Sequence, residues 1–375
     1  MSKSVWIVGA KRTPQGRFLG GLASQSSVDL AVSAAQAALG EIDRKLVDSV
    51  IVGNVLAAGQ GMNIARQIGL GLGLPIETPA FTVNMMCLSG LQAVILATRE
   101  IQAGAARMVL CGGTESMSRS PYLLDRARTG LKFGNTEFVD SLLKDGLTDP
   151  THREHMALTA ERVAERYGIS RELQDQFAVT SQQRAAAATE AGVLQKEIVA
   201  VNGVSRDEQP RPDTTLEGLA KLRPAFNPAG TVTAGNASGL NDGSAMLVVC
   251  DEAFGREQGL EPMMIIRESV VVGCDPAVMG LGPVFALQRI GRPLDSYDSV
   301  ELNEAFAAQS LGCIQELELD PDRVNIHGGA IALGHPLGAS GARLLVHLAH
   351  QQPRLAAASL CAGGGMGGAV VLERP

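Results

Sequence analysis

Apolar positions along this chain alternate between two rhythms. Val5 to Ala10 and Val47 to Gly53 are short, almost unbroken apolar runs rich in β-branched residues, the pattern of buried strands. Ser27 to Leu39, rich in alanine, and Asn63 to Leu70 instead predict helices. Phe81 to Asn84 predicts a further strand, and Leu91, Val94, Ile95, Thr98 and Ile101 follow at helical spacing from a start at Ser89-Gly90. Met108 to Cys111 is the strand after that helix, so the first third of the chain reads as alternating α/β.

The second half echoes the first. Asp48-Ser49-Val50 recurs as Asp298-Ser299-Val300 (298 − 48 = 250), Ser89-Gly90 as Ser340-Gly341 (340 − 89 = 251), and Leu110-Cys111-x-Gly113 as Leu360-Cys361-x-Gly363 (361 − 111 = 250). Short matches in one order at nearly one offset predict two copies of a single α/β unit, packed so that their helical faces share a layer. Residues 117–240 differ: they carry more charge, two prolines flanking Arg211, and a long helix capped by Ser170 that stops near Gly192. This segment reads as an insertion folded over one face of the duplicated scaffold, where binding loops are commonly found.

Composition narrows the function. The 375 residues suffice for two or three domains with a substantial core, and 45% are hydrophobic against 19% charged, a globular balance. A net charge of −7 and 3% aromatics argue against nucleic-acid binding, which needs clustered positive charge or stacking platforms. The six cysteines lie far apart without a CxxC pair, which suggests neither a zinc site nor a disulfide scaffold and fits a reducing cytoplasm. The N-terminal apolar run is too short for a signal peptide, and no stretch reaches membrane-spanning length. His152 with His155, and His347 with His350, have i, i+3 spacing, but no third ligand follows in a recognised pattern, so no metal site is expected. Gly363, Gly365 and Gly368 match G-x-G-x-x-G; too little chain follows them for a dinucleotide fold.

Three stretches carry candidate chemistry. Asn84-Met85-Met86-Cys87-Leu88-Ser89-Gly90 delivers a cysteine to a strand-turn-helix elbow, the geometry by which α/β enzymes expose a nucleophile. N–H groups at a helix mouth favour thiolate, so Cys87 is expected to have a lowered pKa; the alternative is a buried structural thiol. Gly334-His335-Pro336 and Cys361-Ala362-Gly363-Gly364-Gly365 are glycine-dense loops that each present a titratable side chain, and a two-fold arrangement would bring both to Cys87.

Together with Gly112-Gly113-Thr114-Glu115-Ser116-Met117-Ser118, Gly235-Asn236-Ala237-Ser238-Gly239-Leu240-Asn241-Asp242-Gly243 and Asn303-Glu304-Ala305-Phe306, these stretches resemble the thiolase family over nearly the full chain. The resemblance implies an α/β thiolase fold of two repeated βαβ-type halves in five layers (αβαβα) with an inserted loop domain. Its N-terminal half would span residues 1–116, completed by about 241–262, the loop domain 117–240, and the C-terminal half 263–375. It implies acyl transfer by a ping-pong Claisen condensation of two acetyl-CoA to acetoacetyl-CoA plus CoA, or the reverse thiolysis, with CoA thioesters as substrates and no permanently bound cofactor. Cys87 would be the acyl-accepting nucleophile, His335 its base, and Cys361 the acid/base toward the second acetyl-CoA. Asn303, holding a water, and His335 would stabilise the enolate oxygen, and the N–H groups of Cys87 and Gly363 the tetrahedral intermediate. Ser238 would meet pantetheine and Arg211 the adenine, while His155, Met156 and Phe306 would bind substrate, Met156 shortening the acyl pocket. A homodimer or homotetramer in the cytoplasm is implied. Alternatives are a broad-chain 3-ketoacyl-CoA thiolase and a non-catalytic acyl-CoA-binding relative; a decarboxylating ketoacyl synthase would use two histidines beside its cysteine, and Cys361 argues against it. The segments 286–296 and 351–359 look shorter than in relatives, which bears on surface helices rather than on the site motifs.

Overall fold

The computed structural model describes residues 3–375. Strand β1 (Val5–Arg12) leads to helix α1 (Ser27–Leu39), whose start is fixed by a reciprocal cap: the Ser26 hydroxyl accepts from the Asp29 N–H, and the Asp29 carboxylate accepts from the Ser26 N–H. There follow β2 (Ser49–Gly53), α2 (Ile64–Gly71), β3 (Ala80–Val83), α3 (Ser89–Gln102) and β4 (Met108–Ser116). The intervening segment carries α4 (Met156–Tyr167) and α5 (Arg171–Glu190), the latter opened by Ser170, whose hydroxyl accepts from the Leu173 N–H. The chain then returns to the first sheet as β5 (Asn241–Asp251). The second half runs β6 (Met264–Gly273), α6 (Gly282–Ile290), β7 (Ser299–Leu302), α7 (Ala307–Glu316), α8 (Leu337–Gln351), β8 (Leu355–Ala362) and β9 (Met366–Glu373).

Both half-sheets belong to one sheet, in the order β7-β8-β9-β6-β1-β5-β4-β2-β3, with Gly16–Arg17 added to β5. The halves meet where β1 and β6 pair antiparallel, Val5 opposite Ile266 and Ile7 opposite Met264. Between the half-sheets lie α3 and α8: Leu91, Val94 and Ile95 of one and Leu344, Leu345 and Leu348 of the other share a core with Val109, Leu247, Ala358 and Val370. Helices α1 and α2 cover the outer face of the first half-sheet and α6 and α7 that of the second, giving five layers. The two central helices touch through glycine. A Cβ on Gly90 would lie 2.7 Å from the Gly338 carbonyl oxygen, and one on Gly341 2.6 Å from the Leu91 nitrogen.

The duplication is visible atom by atom, with one correction. Asp48 Oδ2 accepts from the Arg107 and Met108 N–H groups, as Asp298 Oδ2 accepts from the Leu355 N–H. That register sets Met108 against Leu355 (355 − 108 = 247), and pairs Val52 with Gly112 as Leu302 pairs with Ser359 (359 − 112 = 247). The Leu-Cys-x-Gly match at an offset of 250 is therefore three residues out of structural step, and the counterpart of Cys361 is Thr114 rather than Cys111 (361 − 114 = 247). Beyond β7 the edge strand is reduced to a single bridge, Val300 to Val324, where the first half has all of β3.

Helix α4 seats Met156, Ala157 and Ala160 against Met279, Ala305, Phe306 and Cys361, so the intervening segment closes over the second half. Its Glu161 carboxylate holds the N–H groups of Thr231 and Val232, and Asn236 Nδ2 donates to Asp175 Oδ1 over 2.9 Å. These bonds fix the 236–239 turn, whose Ser238 N–H donates to the Ala305 carbonyl over 3.0 Å.

Candidate active site

Cys87 sits on a strained elbow. After β3, the Asn84 side-chain oxygen accepts from the Met86 N–H, Met86 adopts φ 52°, and Ser89 Oγ donates to the Met86 carbonyl while accepting from the Met85 N–H. A non-glycine residue in the left-handed region costs energy and persists only when its surroundings over-determine it, as these bonds do. The Cys87 sulfur accepts from its own N–H and from that of Gly363. Burial nevertheless outweighs them and, with the Glu115 carboxylate nearby, pushes the thiol up to about 12. The expected lowering at the helix mouth is thus overturned: Cys87 rests as a neutral thiol.

His335 precedes α8 and is held on both sides. Its N–H donates to Asn241 Oδ1 over 2.9 Å, and Nδ1 lies 2.5 Å from Ser340 Oγ. We assign the tautomer in which Nδ1–H donates to Ser340 Oγ and the Ser340 hydroxyl donates to the Pro336 carbonyl. The lone pair is left on Nε2, which is buried and has no protein partner. Burial, and then the positive charge of Arg343, lower the imidazole to about 4, so it is uncharged at neutral pH.

Cys361 lies near the end of β8, before a hairpin turn in which Gly364 and Gly365 take φ 84° and 80°. It is buried, and first burial and then the proximity of Cys87 push its thiol well up. Cys87, His335, Cys361 and Gly363 all line one cavity of about 550 Å3. His155, Met156, Arg211, Ser238 and Phe306 line the same cavity, with Arg211 exposed to solvent. Met156 and Met86 flank Gly363, where a Cβ would lie 3.3 Å from Met156 Sδ. Asn303 stands behind this wall rather than on it: it is fully buried at the end of β7, its N–H donates to the Ser359 carbonyl, and neither atom of its amide has a protein partner. A cavity of this size with convergent polar groups suits a small acyl ligand with a long tail reaching solvent.

Four contributors were not singled out from sequence. Glu115 accepts from Asn54 Nδ2 and from the N–H groups of Val55, Leu56 and Gly338, which fastens the first residues of α8 to β4; burial pushes its carboxyl up to about 7 against those bonds. Asn241 and Ser340 orient His335, and the Phe226 ring stacks on His155 with centroids 3.9 Å apart. Glu115, Asn241 and Ser340 lie inside the quoted motifs, and their polarity in otherwise apolar stretches was the available signal; Phe226 had none. Among the described residues no group of three or more His, Cys, Asp or Glu could hold a metal ion. No described helix is long and apolar enough to cross a membrane.

Comparison with known proteins gives the family and the fold. Residues 5–253 match the family description "Thiolase, N-terminal domain" and residues 260–374 match "Thiolase, C-terminal domain". The chain is 50% identical over 391 residues to an acetyl-CoA acetyltransferase of Escherichia coli, covering 99% of each, and 46% identical to one of Pseudomonas aeruginosa, covering 99% of this chain and all of that protein. Among solved structures, human mitochondrial 3-ketoacyl-CoA thiolase in complex with CoA superposes with a TM-score of 0.97 at 44% identity, covering 100% of this chain and 98% of the other.

Proposed function

This chain belongs to the thiolase family, and on that premise we propose that it condenses two acetyl-CoA to acetoacetyl-CoA and free CoA, and runs the reverse thiolysis. The observation that carries the reading is the convergence of two thiols, Cys87 half-buried and Cys361 buried, and an uncharged imidazole with a free Nε2 on one cavity. In the first half-reaction His335 Nε2 takes the Cys87 proton as the sulfur attacks the thioester carbonyl. The N–H groups of Cys87 and Gly363, already directed at the nucleophilic sulfur, are placed to receive the developing oxyanion. CoA leaves as thiolate and takes its proton from Cys361, while the acetyl group stays on Cys87.

In the second half-reaction the Cys361 thiolate removes a proton from the methyl carbon of the next acetyl-CoA. Its raised proton affinity suits so weak a carbon acid. The imidazolium of His335, with a water held by Asn303, donates to the enolate oxygen. The enolate carbon attacks the Cys87 thioester, acetoacetyl-CoA forms, and the Cys87 sulfur recovers its proton from His335 while Cys361 keeps the one it took. Ser238 and Arg211 are assigned to the pantetheine chain and adenine of CoA, and His155, Met156 and Phe306 to the acyl end. Exposed Leu131, Phe133 and Phe138 support assembly as a homodimer or homotetramer, and cysteines spaced without a CxxC pair support a cytoplasmic setting. CoA-dependent cleavage of acetoacetyl-CoA by the purified protein tests the proposal; no cleavage by folded protein would refute it.

A further inference from the structure

Helix α8 begins without a cap of its own, because its N-cap residue Pro336 offers no side-chain acceptor. The acceptor comes instead from the other copy of the fold: Glu115 Oε2, near the end of β4, accepts from the Gly338 N–H over 2.9 Å. The same oxygen accepts from the Val55 N–H over 3.0 Å, while Oε1 accepts from the Leu56 N–H over 3.1 Å and from Asn54 Nδ2 over 2.8 Å. One carboxylate thus joins the residues just after β2 to the helix that follows His335. Residues 54 and 55 in turn hold the Cys87 elbow. The Asn54 N–H donates to the Val83 carbonyl over 3.0 Å, Asn84 Nδ2 donates to the Val55 carbonyl over 3.3 Å, and Oδ1 of the same Asn84 accepts from the Met86 N–H over 3.0 Å. On the histidine side, Gly338 lies three residues beyond His335, and Ser340, which holds His335 Nδ1, stands in the same first turn of α8. Val55, Leu56 and Leu337 share an apolar cluster on which Met86 and Cys87 pack. The backbones are close as well: a Cβ on Gly338 would lie 2.7 Å from the Thr114 carbonyl oxygen and 2.9 Å from Glu115 Oε2.

The second copy shows that the fold does not demand this cross-link. At the place of Glu115 it has Ala362 (362 − 115 = 247), and its buried carboxylate, Glu304, stands at the place of Asn54 (304 − 54 = 250). Glu304 accepts from Asn325 Nδ2, the Ile331 N–H and Ser181 Oγ, bonds that stay within the second copy and the intervening segment. Glu115 instead reaches from one copy to the other, although burying a carboxylate costs free energy that its hydrogen bonds must offset. We propose that Glu115 is a positioning residue for proton transfer from Cys87 to His335: by gripping the Val55 and Gly338 N–H groups with one oxygen, it fixes the elbow and the histidine loop relative to each other. It does not line the cavity and touches no reacting atom. Its action is geometric, and a misplacement of about 1 Å between reacting groups suffices to cost about a hundredfold in rate.

The inference rests on His335 serving Cys87, and its test is separate from acyl-CoA turnover: the rate of Cys87 alkylation by iodoacetamide, read by peptide mass, in wild type, Glu115→Gln, His335→Gln and the double variant. Glutamine keeps the shape of the side chain, but its amide nitrogen cannot accept, so part of the grip is lost. Glu115→Gln should slow alkylation by about tenfold to a hundredfold. Loss of the Glu115 charge alone would ease ionisation of Cys87 and speed alkylation, so a slower rate reports geometry. In the His335→Gln background the same change should cost less than about twofold, because the spacing it sets no longer matters. Asn84→Ser keeps an acceptor for the Met86 N–H and removes the donor to Val55, cutting the link from the elbow side. It should slow alkylation in the same way, and it decides if unfolding curves show that Glu115→Gln is not folded. A folded Glu115→Gln that reacts at the wild-type rate overturns the proposal, as does one that loses the same factor with His335 present and absent, the mark of general loosening. A His335→Gln variant as reactive as wild type refutes the role given to His335 and the proposal with it; a slow His335→Gln beside an undiminished Glu115→Gln overturns the positioning role alone.

Discussion

In the proposed reaction Cys87 carries the acyl group and Cys361 moves protons in both half-reactions, but CoA can leave as thiolate whereas the methyl carbon needs a base, so their variants should separate. Acetyl-CoA should leave one acetyl group on Cys87, detected by intact mass and peptide mapping, and Cys361→Ala should still acquire it while condensation is lost. Equal loss of both in Cys361→Ala would instead make that residue part of Cys87 activation. Met156, which lies beside Gly363, is assigned to the acyl end. Since one methylene in such a pocket is worth about 1 to 3 kcal/mol, a medium-chain 3-ketoacyl-CoA should be cleaved with kcat/KM more than about a hundredfold below that of acetoacetyl-CoA; comparable values would favour a broad-chain thiolase. His335 predicts a pH effect on stability. Its proton affinity in the folded protein is lowered from 6.5 to about 4, so on acidification the unfolded chain protonates first and the wild type loses stability through that window. Relative to His335→Gln the loss should approach about 3 kcal/mol, and melting curves compared across the window check its sign. At this scale the residues assigned to the chemistry were legible because Cys87 stands at a strand-turn-helix elbow and His335 and Cys361 in glycine-dense loops, whereas the state of Cys87 was not: a helix mouth favours thiolate, and only the packing of the elbow reveals that burial wins.

Helices α3 and α8 cross where Gly90 and Gly341 let backbone meet backbone. Gly341→Ala would force a Cβ to 2.6 Å from the Leu91 nitrogen, with no flexible side chain to yield. A destabilisation of at least about 1 to 3 kcal/mol is expected, read as a lower denaturant midpoint at unchanged slope. Because both site loops hang from the N-terminal ends of these helices, activity at a temperature where the variant is folded should fall as well. Elements with strong periodicity were readable from the chain: Ser27–Leu39 is helical over the predicted span, and Ser170 caps α5 as its position before the apolar run implied. Repeat register was not. Leu-Cys-x-Gly falls three residues out of step because hydrogen bonding to Asp48 and Asp298, rather than motif likeness, aligns β4 with β8.

Two family regions divide the chain near residue 255, yet nothing physical divides the molecule there. The half-sheets are continuous through β1 and β6, and α3 and α8 bury their apolar faces in one shared core. Heating or denaturant should therefore unfold both halves in one transition, with calorimetric and van't Hoff enthalpies in agreement for the dissociated chain; two resolved transitions would mean that the halves are separately stable. The same seam dictates an order of events during synthesis. β1 is the first strand to leave the ribosome, but its partners on both sides, residues 245–251 and 264–266, come after some two thirds of the chain. At roughly 5 to 20 residues per second, Val5, Trp6 and Ile7 wait on the order of 13 to 50 s without a strand on either side. The apolar edge that ends as the middle of the sheet is thus the longest-exposed sticky surface in the life of the nascent chain, and its survival depends on being shielded until the second half arrives.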